Sequence, residues 1–331
     1  MNKLGSQRIK QMLENMKYCL FVCCKCLVGE KSSIIAFWKL TYTTIGCVSS
    51  IFAFSVLLKD LVGCDKVEDF CKDRWYMLIV IGLAVALVIH HQKISCKGII
   101  ENDDLQIIVK VKDMFCIDAC SYVIPTNTFF RTIMDGDYIS PQSVQGAFQI
   151  KYFRKDISKL DRLIEKSLEQ QGIKGEESSD IHGNVKKYPV GTTAKIDYKD
   201  RHYYFLAISD VNRYGKPENQ SYNNVDLAMK GLFETIKKIG HCDDICMPLI
   251  GTGRAAIREA TIEKVIQETV DRFIMTEDKI ARKLIVCLRP KDFIDGKVNL
   301  KKIEKYVGFR CEFKESLRKM KYPIIDVMSK H

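Results

Sequence analysis

The sequence predicts an α/β fold, a sheet covered by helices on both faces, preceded by a transmembrane hairpin of two helices. Three observations lead to this prediction. Two uncharged apolar stretches lie within the N-terminal third, strand-like and helix-like segments alternate after residue 105, and a glycine turn at Gly251 and Gly253 follows a short apolar strand. The 331 residues have room for about two domains of ~100 to 200 residues each.

The N-terminal arm, residues 1–33, is basic. It holds six lysines and arginines against Glu14 and Glu30, in a chain whose net charge is +11. The positive-inside rule therefore predicts that this arm is cytoplasmic. The arm also contains a cysteine cluster with irregular spacing and no nearby histidine, which favours free or lipid-modified thiols over zinc: Cys19, Cys23, Cys24 and Cys26. We predict no metal site.

Two apolar stretches predict the hairpin, residues 34–92. Leu40 to Leu58 is uncharged over about the length that crosses a ~30 Å hydrocarbon layer as a helix. Trp75 to His91 is a second such stretch, with aromatic residues suited to one membrane interface and histidines to the other. Buried helices of a soluble protein are the alternative, which is less favoured because two such spans in tandem are rare in soluble folds.

The charges of the connecting segments predict the orientation of the hairpin. Lysines and arginines between the two stretches are matched by aspartates and glutamates, whereas the N-terminal arm has a basic excess. We therefore expect a membrane protein with two spans and with both termini in the cytoplasm. The large C-terminal part, from about Leu105, would then also be cytoplasmic.

Strand and helix patterns alternate through the rest of the chain. Apolar or β-branched runs predict strands at Leu105–Lys112, Ser121–Pro125, Arg201–Ser209, Cys246–Ile250 and Lys283–Leu288. Apolar residues at spacings of three and four predict helices near Pro141–Tyr152, Asp156–Gln171, Asn223–Ile239, Arg258–Met275 and Asn299–Val307. Asp156 or Ser158 is suited to cap the second of these helices.

Three segments are expected to meet beyond the carboxyl ends of the strands, where ligands bind in such sheets. They are Asp113–Phe115 after the first strand, Pro125–Asn127 after the second, and the turn Gly251–Arg254. Glycines in that turn let backbone N–H groups approach an anion. Taken singly, each segment also has a purely structural interpretation as a cap, an Asx-turn or an ordinary glycine turn.

Together with the small-residue helix start SVQGAF, Ser143–Phe148, these segments resemble a macro domain, the ADP-ribose-binding module. The resemblance covers Leu105–Pro290 and implies a three-layer αβα domain with a mixed central sheet at residues 101–290, followed by an extension at 291–331. It also implies that Asp113 accepts a hydrogen bond from the adenine amine and that Asn127 lies near the distal ribose. The full set of implied ligand-binding residues is Asp113, Met114, Phe115, Pro125, Thr126, Asn127, Ser143, Val144, Gln145, Gly146, Ala147, Leu249, Gly251, Thr252, Gly253, Arg254, Ala255 and Ala256.

One loop departs from the usual macro-domain pattern. A typical member reads NAAN and then a glycine triplet, whereas this strand ends VIPTN at Asn127 and continues FFRTIMDGDYIS without a triplet. Because hydrolytic members use that Asn and triplet to place a water, the departure favours a binding module with no catalytic residue. The enlarged loop suits a ligand that carries an extra group on the distal ribose.

A membrane hairpin followed by such a variant domain resembles the membrane effector of type II Thoeris, a bacterial anti-phage system. This resemblance implies that a partner TIR-domain enzyme consumes NAD and makes a histidine conjugate of ADP-ribose, which the macro domain binds. Binding would then drive homo-oligomerisation, membrane disruption and cell death. Membrane lipid would be a further partner, and no cofactor is expected.

Two alternatives from other classes remain open. A membrane-tethered ADP-ribosyl hydrolase would turn over ADP-ribose esters or modified protein, and it would lose activity on Asn127→Ala. A nucleic-acid-binding protein would use the positive charge, but the lysine pairs are isolated and no basic stripe interleaved with aromatics stands out, so we predict no nucleic-acid partner. Arg254 is interpreted either as a phosphate ligand or as a solvent-exposed loop residue.

Overall fold

The structure is a computed structural model. It describes residues 33–63, 65–90, 92–134, 138–180, 182–212, 214, 216–218, 221–251, 261–276 and 278–321. They divide into two compact units, one running to Ile94 and including Pro290–Lys297, the other comprising Ser95–Arg289 and the chain from Val298. The predicted N-terminal arm lies outside the described residues, except for Ser33.

The helices, in chain order, are α1 (Ser33–Val62), α2 (Asp65–Asp73), α3 (Trp75–His90), α4 (Val144–Tyr152), α5 (Ile157–Gln170), α6 (Tyr222–Ile239), α7 (Ile262–Met275), α8 (Pro290–Ile294) and α9 (Leu300–Lys321). The strands are β1 (Ser95–Ile100), β2 (Leu105–Val111), β3 (Ser121–Asn127), β4 (Glu176–Asp180), β5 (Gly183–Lys187), β6 (Thr193–Tyr198), β7 (Arg201–Val211), β8 (Pro217–Glu218), β9 (Ile245–Pro248) and β10 (Lys283–Leu288).

In the first unit, α1 and α3 pack against each other. A Cβ added to Gly82 of α3 would lie 3.0 Å from the backbone oxygen of Thr44, so the small residue permits close approach of the two helices. The Thr43 hydroxyl and His90 Nε2 lie 2.8 Å apart and add a polar contact between the same helices. On α2, Glu68 pairs with Lys59, at 3.0 Å, and with Lys72.

One helix is long and apolar enough to cross a membrane. Within the described residues this is Ile34–Val62, and 6% of its most apolar window is buried. The apolar stretch predicted as the second span forms α3, whose 16 residues extend about 24 Å. It reaches the length of a span only together with Lys66–Asp73, from which it is bent by 83°. Among the described residues, one helix alone thus has the length and composition of a membrane span, and the second span belongs to the proposal below.

The second unit is built on a mixed sheet with the order β1-β2-β10-β9-β3-β7-β6, and β8 pairs with β7. The five strands from β2 to β7 are parallel to one another, while β1, β6 and β8 pair antiparallel. The central strands are nearly all buried, which matches their continuous apolar sequence. Helices follow parallel strands because a parallel connection must cross over the sheet.

Alternating side chains of the strands fill two layers of core. Tyr122 and Ile124 of β3, with Phe205 of β7, face a cluster that includes Phe148 of α4 and Ile164 of α5. The neighbouring strand residues point to the other face, where α6 contacts β7 and α7. Helix α9 packs on α7 and on β1. The domain therefore has the predicted three layers.

Several elements were not predicted from the sequence. Helix α2, strands β1, β6 and β8, and the isolated β4–β5 hairpin, which forms a separate two-stranded sheet, were all missed. Helix α4 begins three residues after the predicted Pro141, because Ser143 caps it, and α9 extends well beyond Val307 to Lys321. Asp156 caps α5 by accepting from the Lys159 N–H at 3.0 Å.

Candidate functional site

The carboxyl ends of the parallel strands form one edge of the sheet. Strand β2 ends at Val111, β3 at Asn127 and β9 at Pro248, and these strands run in the same direction. The segments predicted to bind a ligand follow these ends. The topology therefore places the Asp113, Asn127 and Gly251 segments along a single edge, which is where α/β sheets bind ligands.

The turn after β2 is closed by Asp113. Its Oδ1 accepts a hydrogen bond from the Phe115 N–H at 3.0 Å, so the side chain caps a short 3-10 turn, Met114–Cys116, and remains exposed to solvent. Met114 is buried. The ring of Phe115 lies 6.5 Å from those of Phe148 and Tyr152, so the turn also contacts α4.

The end of β3 is buried and locally fixed. Asn127 Oδ1 accepts from the Phe129 N–H at 3.0 Å, the Asx-turn that was one interpretation of this residue. Thr126 is 4% exposed, and its hydroxyl has no hydrogen-bond partner within the described part of the chain. Pro125 is half-buried. A positive φ of 51° at Phe130 marks the sharp turn that follows.

The N-terminus of α4 lies beside this turn. The Ser143 hydroxyl donates to the Ser140 carbonyl at 2.7 Å and accepts from the Gly146 N–H at 3.0 Å. A Cβ at Gly146 would lie 2.1 Å from the Ser140 oxygen, so only glycine fits beneath that carbonyl. Val144 and Ala147 are half-buried, and Val144 packs against the core cluster.

The turn after β9 is described only up to Gly251. That residue has a φ of 80°, a left-handed conformation that glycine adopts without strain, and Leu249 before it is half-buried. Thr252, Gly253, Arg254, Ala255 and Ala256 lie outside the described residues. Their assignment to a phosphate-binding turn remains a prediction.

The β3–α4 loop, described over 128–134 and 138–143, is the enlarged loop that the sequence suits to an extra group on the distal ribose. Helix α4 holds it through two buried glutamines: Gln145 Nε2 donates to the Arg131 carbonyl at 2.9 Å, and Gln149 Nε2 donates to the Thr132 carbonyl at 2.7 Å. The Thr132 hydroxyl donates to the Asp161 carboxylate of α5. Of these residues, only Gln145 was a predicted site residue.

A cavity of about 490 Å³ opens behind this loop. The loop, α5, the β4–β5 hairpin and the segment after it contribute its lining residues: Phe129, Phe130, Arg131, Thr132, Ile133, Asp161, Ile164, Glu165, Leu168, Glu177, Asn184, Val185, Lys186 and Tyr188. The rings of Phe130 and Tyr188 contact edge to face at 5.4 Å. The lining thus combines aromatic rings with three carboxylates, at Asp161, Glu165 and Glu177, and two basic side chains, at Arg131 and Lys186.

Nearby acidic side chains act on Tyr188. Burial raises the pKa of this tyrosine, and the charges of Glu165, Glu169 and Glu177 raise it further. The faces of aromatic rings in the lining attract cations. The cavity is therefore suited to a positively charged or imidazole-like group.

The family comparison agrees with the fold and with this edge of the sheet. The family "Thoeris protein ThsA, Macro domain" matches residues 107–289, more than half of the chain. No curated protein matches. The matched segment starts within β2 and ends just after β10, so it contains most of β2, the other four parallel strands and all three predicted ligand segments.

Solved macrodomains resemble the chain at low identity. A macrodomain of Oceanobacillus iheyensis, solved with ADP, is 15% identical, with a TM-score of 0.42 over 64% of this chain and 97% of that chain. The macrodomain of Thermus aquaticus DarG is 12% identical, with a TM-score of 0.35 over 54% of this chain and 96% of that chain. At these values, the two likenesses carry no argument about function.

The fold, the edge that gathers the predicted segments and the family match therefore agree. The family assignment indicates ADP-ribose-related binding in anti-phage defence. The chain belongs to the family of the Thoeris protein ThsA macro domain.

Proposed function

We propose that this protein is a membrane-anchored receptor whose macro domain binds an ADP-ribose-derived signal in anti-phage defence. The observation that carries the proposal is the convergence of the Asp113 turn, the Asn127 strand end, the α4 N-terminus and the Gly251 turn at one edge of the sheet, in a chain of the ThsA family. A helix N-terminus and a glycine turn both offer N–H groups to phosphate.

The site binds without catalysing hydrolysis. Asn127 Oδ1 is already occupied by the Phe129 N–H and the residue is 8% exposed, so its oxygen is poorly placed to orient a water. The sequence also lacks the glycine triplet that hydrolytic macro domains carry after that asparagine. Both observations support a receptor over the alternative of a membrane-tethered ADP-ribosyl hydrolase.

The ligand is an ADP-ribose conjugate with a further group on the distal ribose, a histidine in this proposal. The cavity supports this, because two of its lining residues, Phe129 and Phe130, lie only two and three positions after Asn127 in the sequence. Aromatic rings in its lining favour an imidazolium group. A TIR-domain enzyme is the proposed source of the signal.

Ligand binding triggers assembly in the bacterial membrane and cell death. The apolar helices α1 and α3 support a membrane location, because large side chains such as Phe54, Leu61 and Val88 are more than half exposed. Helix α3 serves as the second span, and both termini lie in the cytoplasm. Contacts such as Gly82 with Thr44 permit the helices to pack closely in lipid.

The ligand is tested on the full chain in detergent, by calorimetry with analysis of the products. We expect tighter binding of the histidine conjugate than of ADP-ribose, and no turnover of either. Turnover that disappears on Asn127→Ala would replace the receptor with the hydrolase. If neither ligand binds, the receptor proposal is wrong.

The membrane output is tested with a matched pair of glycines. Gly82→Leu forces side-chain atoms against Thr44 and Val48, whereas Gly46 of α1 has nothing within 4 Å of an added Cβ. We expect Gly82→Leu to abolish ligand-dependent toxicity in cells while ligand binding is kept, and Gly46→Leu to remain toxic. Equal toxicity of both variants would show that α1–α3 packing is not part of the output.

A further inference from the structure

The cavity beside the β3–α4 loop is closed on one side by an element with little support of its own. Strands β4 and β5 pair with each other and, among the described residues, with no other strand. Most of their residues are exposed. A two-stranded hairpin is at best marginally stable in water, so its position depends on side-chain contacts with its surroundings.

Asp180, the last residue of β4, makes these contacts. Its side chain is fully buried and accepts two hydrogen bonds from Arg131, one from Nε at 2.8 Å and one from Nη2 at 3.0 Å. The Tyr138 hydroxyl donates to the same carboxylate at 2.8 Å, as does the His182 N–H. Four donors from three residues thus converge on one carboxylate.

Arg131 also contacts two further elements, strand β5 and helix α4. Its Nη2 lies 3.4 Å from the Gly183 carbonyl and 3.3 Å from the Asn184 carbonyl, at the start of β5. Its own carbonyl accepts from Gln145 of α4. The hairpin wall and the loop wall of the cavity are therefore joined to each other and to the helix at the predicted binding edge.

We propose that Asp180 is a positioning residue that fixes the width of this cavity, and thereby sets selectivity for the group attached to the distal ribose. The proposal rests on the proposed function. Without the carboxylate, Arg131 loses its two-point contact and the hairpin is free to move away from the loop. A ligand that ends at the distal ribose does not reach the hairpin, so it loses less affinity than one that fills the cavity.

The test compares two ligands on Asp180→Asn in the full-length protein. Asparagine keeps the volume of the side chain but lacks the charge that Arg131 requires. We expect the affinity for histidine-conjugated ADP-ribose to fall about tenfold or more, as for loss of a hydrogen bond to a charged group, and the affinity for ADP-ribose to fall less than about threefold. Calorimetry measures both values.

A matched control is Asp271→Asn. Asp271 of α7 accepts from Arg310 Nε of α9 at 2.6 Å, so the change removes another aspartate–arginine pair that is not part of the cavity lining. We expect this control to leave the ratio of the two affinities unchanged. Arg131→Lys keeps the charge but cannot form the two-point contact, so we expect it to lower the ratio as Asp180→Asn does.

Hydrogen exchange supplies a readout that needs no ligand. We expect amides of β4 and β5 to exchange faster in Asp180→Asn than in the unaltered protein or the Asp271 control. If the ratio of the two affinities stayed unchanged, or if amide exchange in β4 and β5 stayed unchanged, the proposed role of Asp180 would be wrong. Either result would leave the proposed receptor function intact. If the unaltered protein binds neither ligand, the proposed function fails, and this proposal fails with it.

Discussion

The Asp113 turn and the β3–α4 loop flank the same edge of the sheet but are held in different ways. Asp113 caps its own turn through a contact two residues away and stays exposed. The β3–α4 loop is held by Gln145 and Gln149 of α4, Asp161 of α5, and Asp180 of β4. The first segment is thus closed by a local hydrogen bond, although Phe115 also contacts α4, and the second is held by residues distant in sequence.

This difference suggests that the two segments have different roles in binding: one recognises the part common to all ADP-ribose ligands, and the other selects among derivatives. A locally closed turn keeps its shape when surrounding elements vary, which suits recognition of the part that all ADP-ribose ligands share. A loop fixed from several elements takes its shape from all of them, so changes in α4, α5 or the hairpin alter its cavity. Selectivity among ADP-ribose derivatives is therefore expected to reside on the loop side.

The largest expected effect on stability comes from a substitution beside the β3–α4 loop. Gly146→Ala places a Cβ 2.1 Å from the Ser140 oxygen, and a backbone atom cannot rotate away, so we expect a loss of about 3 kcal/mol in the free energy of unfolding. Binding of ADP-ribose and its conjugate should both fall sharply. Chemical denaturation and calorimetry measure the two effects.

Gly308 provides the control for that change. It lies within α9 and has nothing within 4 Å of an added Cβ, so alanine should stabilise the helix by up to about 1 kcal/mol without affecting binding. If Gly146→Ala proved as well tolerated as Gly308→Ala, the close contact with Ser140 would not constrain the loop.

A smaller effect on stability is expected at the Asp113 turn. Asp113→Ala removes one exposed cap and should cost about 1 kcal/mol of stability, but it should lower the affinity for both ligands by about tenfold or more. Asp156→Ala removes an equivalent cap from α5 and should leave both affinities unchanged. Normal binding by the Asp113 variant would place the adenine elsewhere.

The smallest expected effect is a pH dependence confined to the loop side. Burial by itself would raise the pKa of Asp180, but hydrogen bonds from Arg131, Tyr138 and the His182 N–H outweigh it, so the pKa lies below its ordinary value of 3.8. The unfolded chain therefore binds the proton more readily, and the stability that this carboxylate contributes is present above pH ~4 and lost as the pH falls below it.

Denaturation midpoints between pH 6 and the acid range check this prediction. The unaltered protein should lose more stability on acidification than Asp180→Asn, which cannot take up that proton. If the denaturation midpoints of the two proteins fell in parallel with pH, Asp180 would not contribute to acid sensitivity. The contrast between the β3–α4 loop and the Asp113 turn would then be weaker.

Much of the sheet could be predicted from sequence, because its buried strands are continuous apolar runs. The run LIVCL of β10 and the run YYFLAI of β7 are examples. The β4–β5 hairpin could not be predicted in this way. Its strands EESSD and GNVKK are polar and solvated, so they show neither an apolar run nor a clear alternation.

The candidate site was predictable to the same extent. Asp113, Asn127 and Gly251 could be proposed from sequence because each follows a recognisable strand and has a turn-forming residue type. Arg131 and Asp180 were missed because they are 49 residues apart, and their pairing depends on a hairpin that the pattern does not reveal. Local signals therefore led to the candidate residues at the strand ends, whereas the long-range contacts beside the cavity required the structure.

The position of β10 has a consequence for synthesis of the chain. This last strand lies between β2 and β9, and among the described strands it alone joins β2 to the other parallel strands. The sheet therefore cannot close until Leu288 has left the ribosome, whereas α1 and α3 are complete by His90. At ~5 to 20 residues per second, the apolar helices exist for roughly ten to forty seconds before the ligand-binding domain can fold.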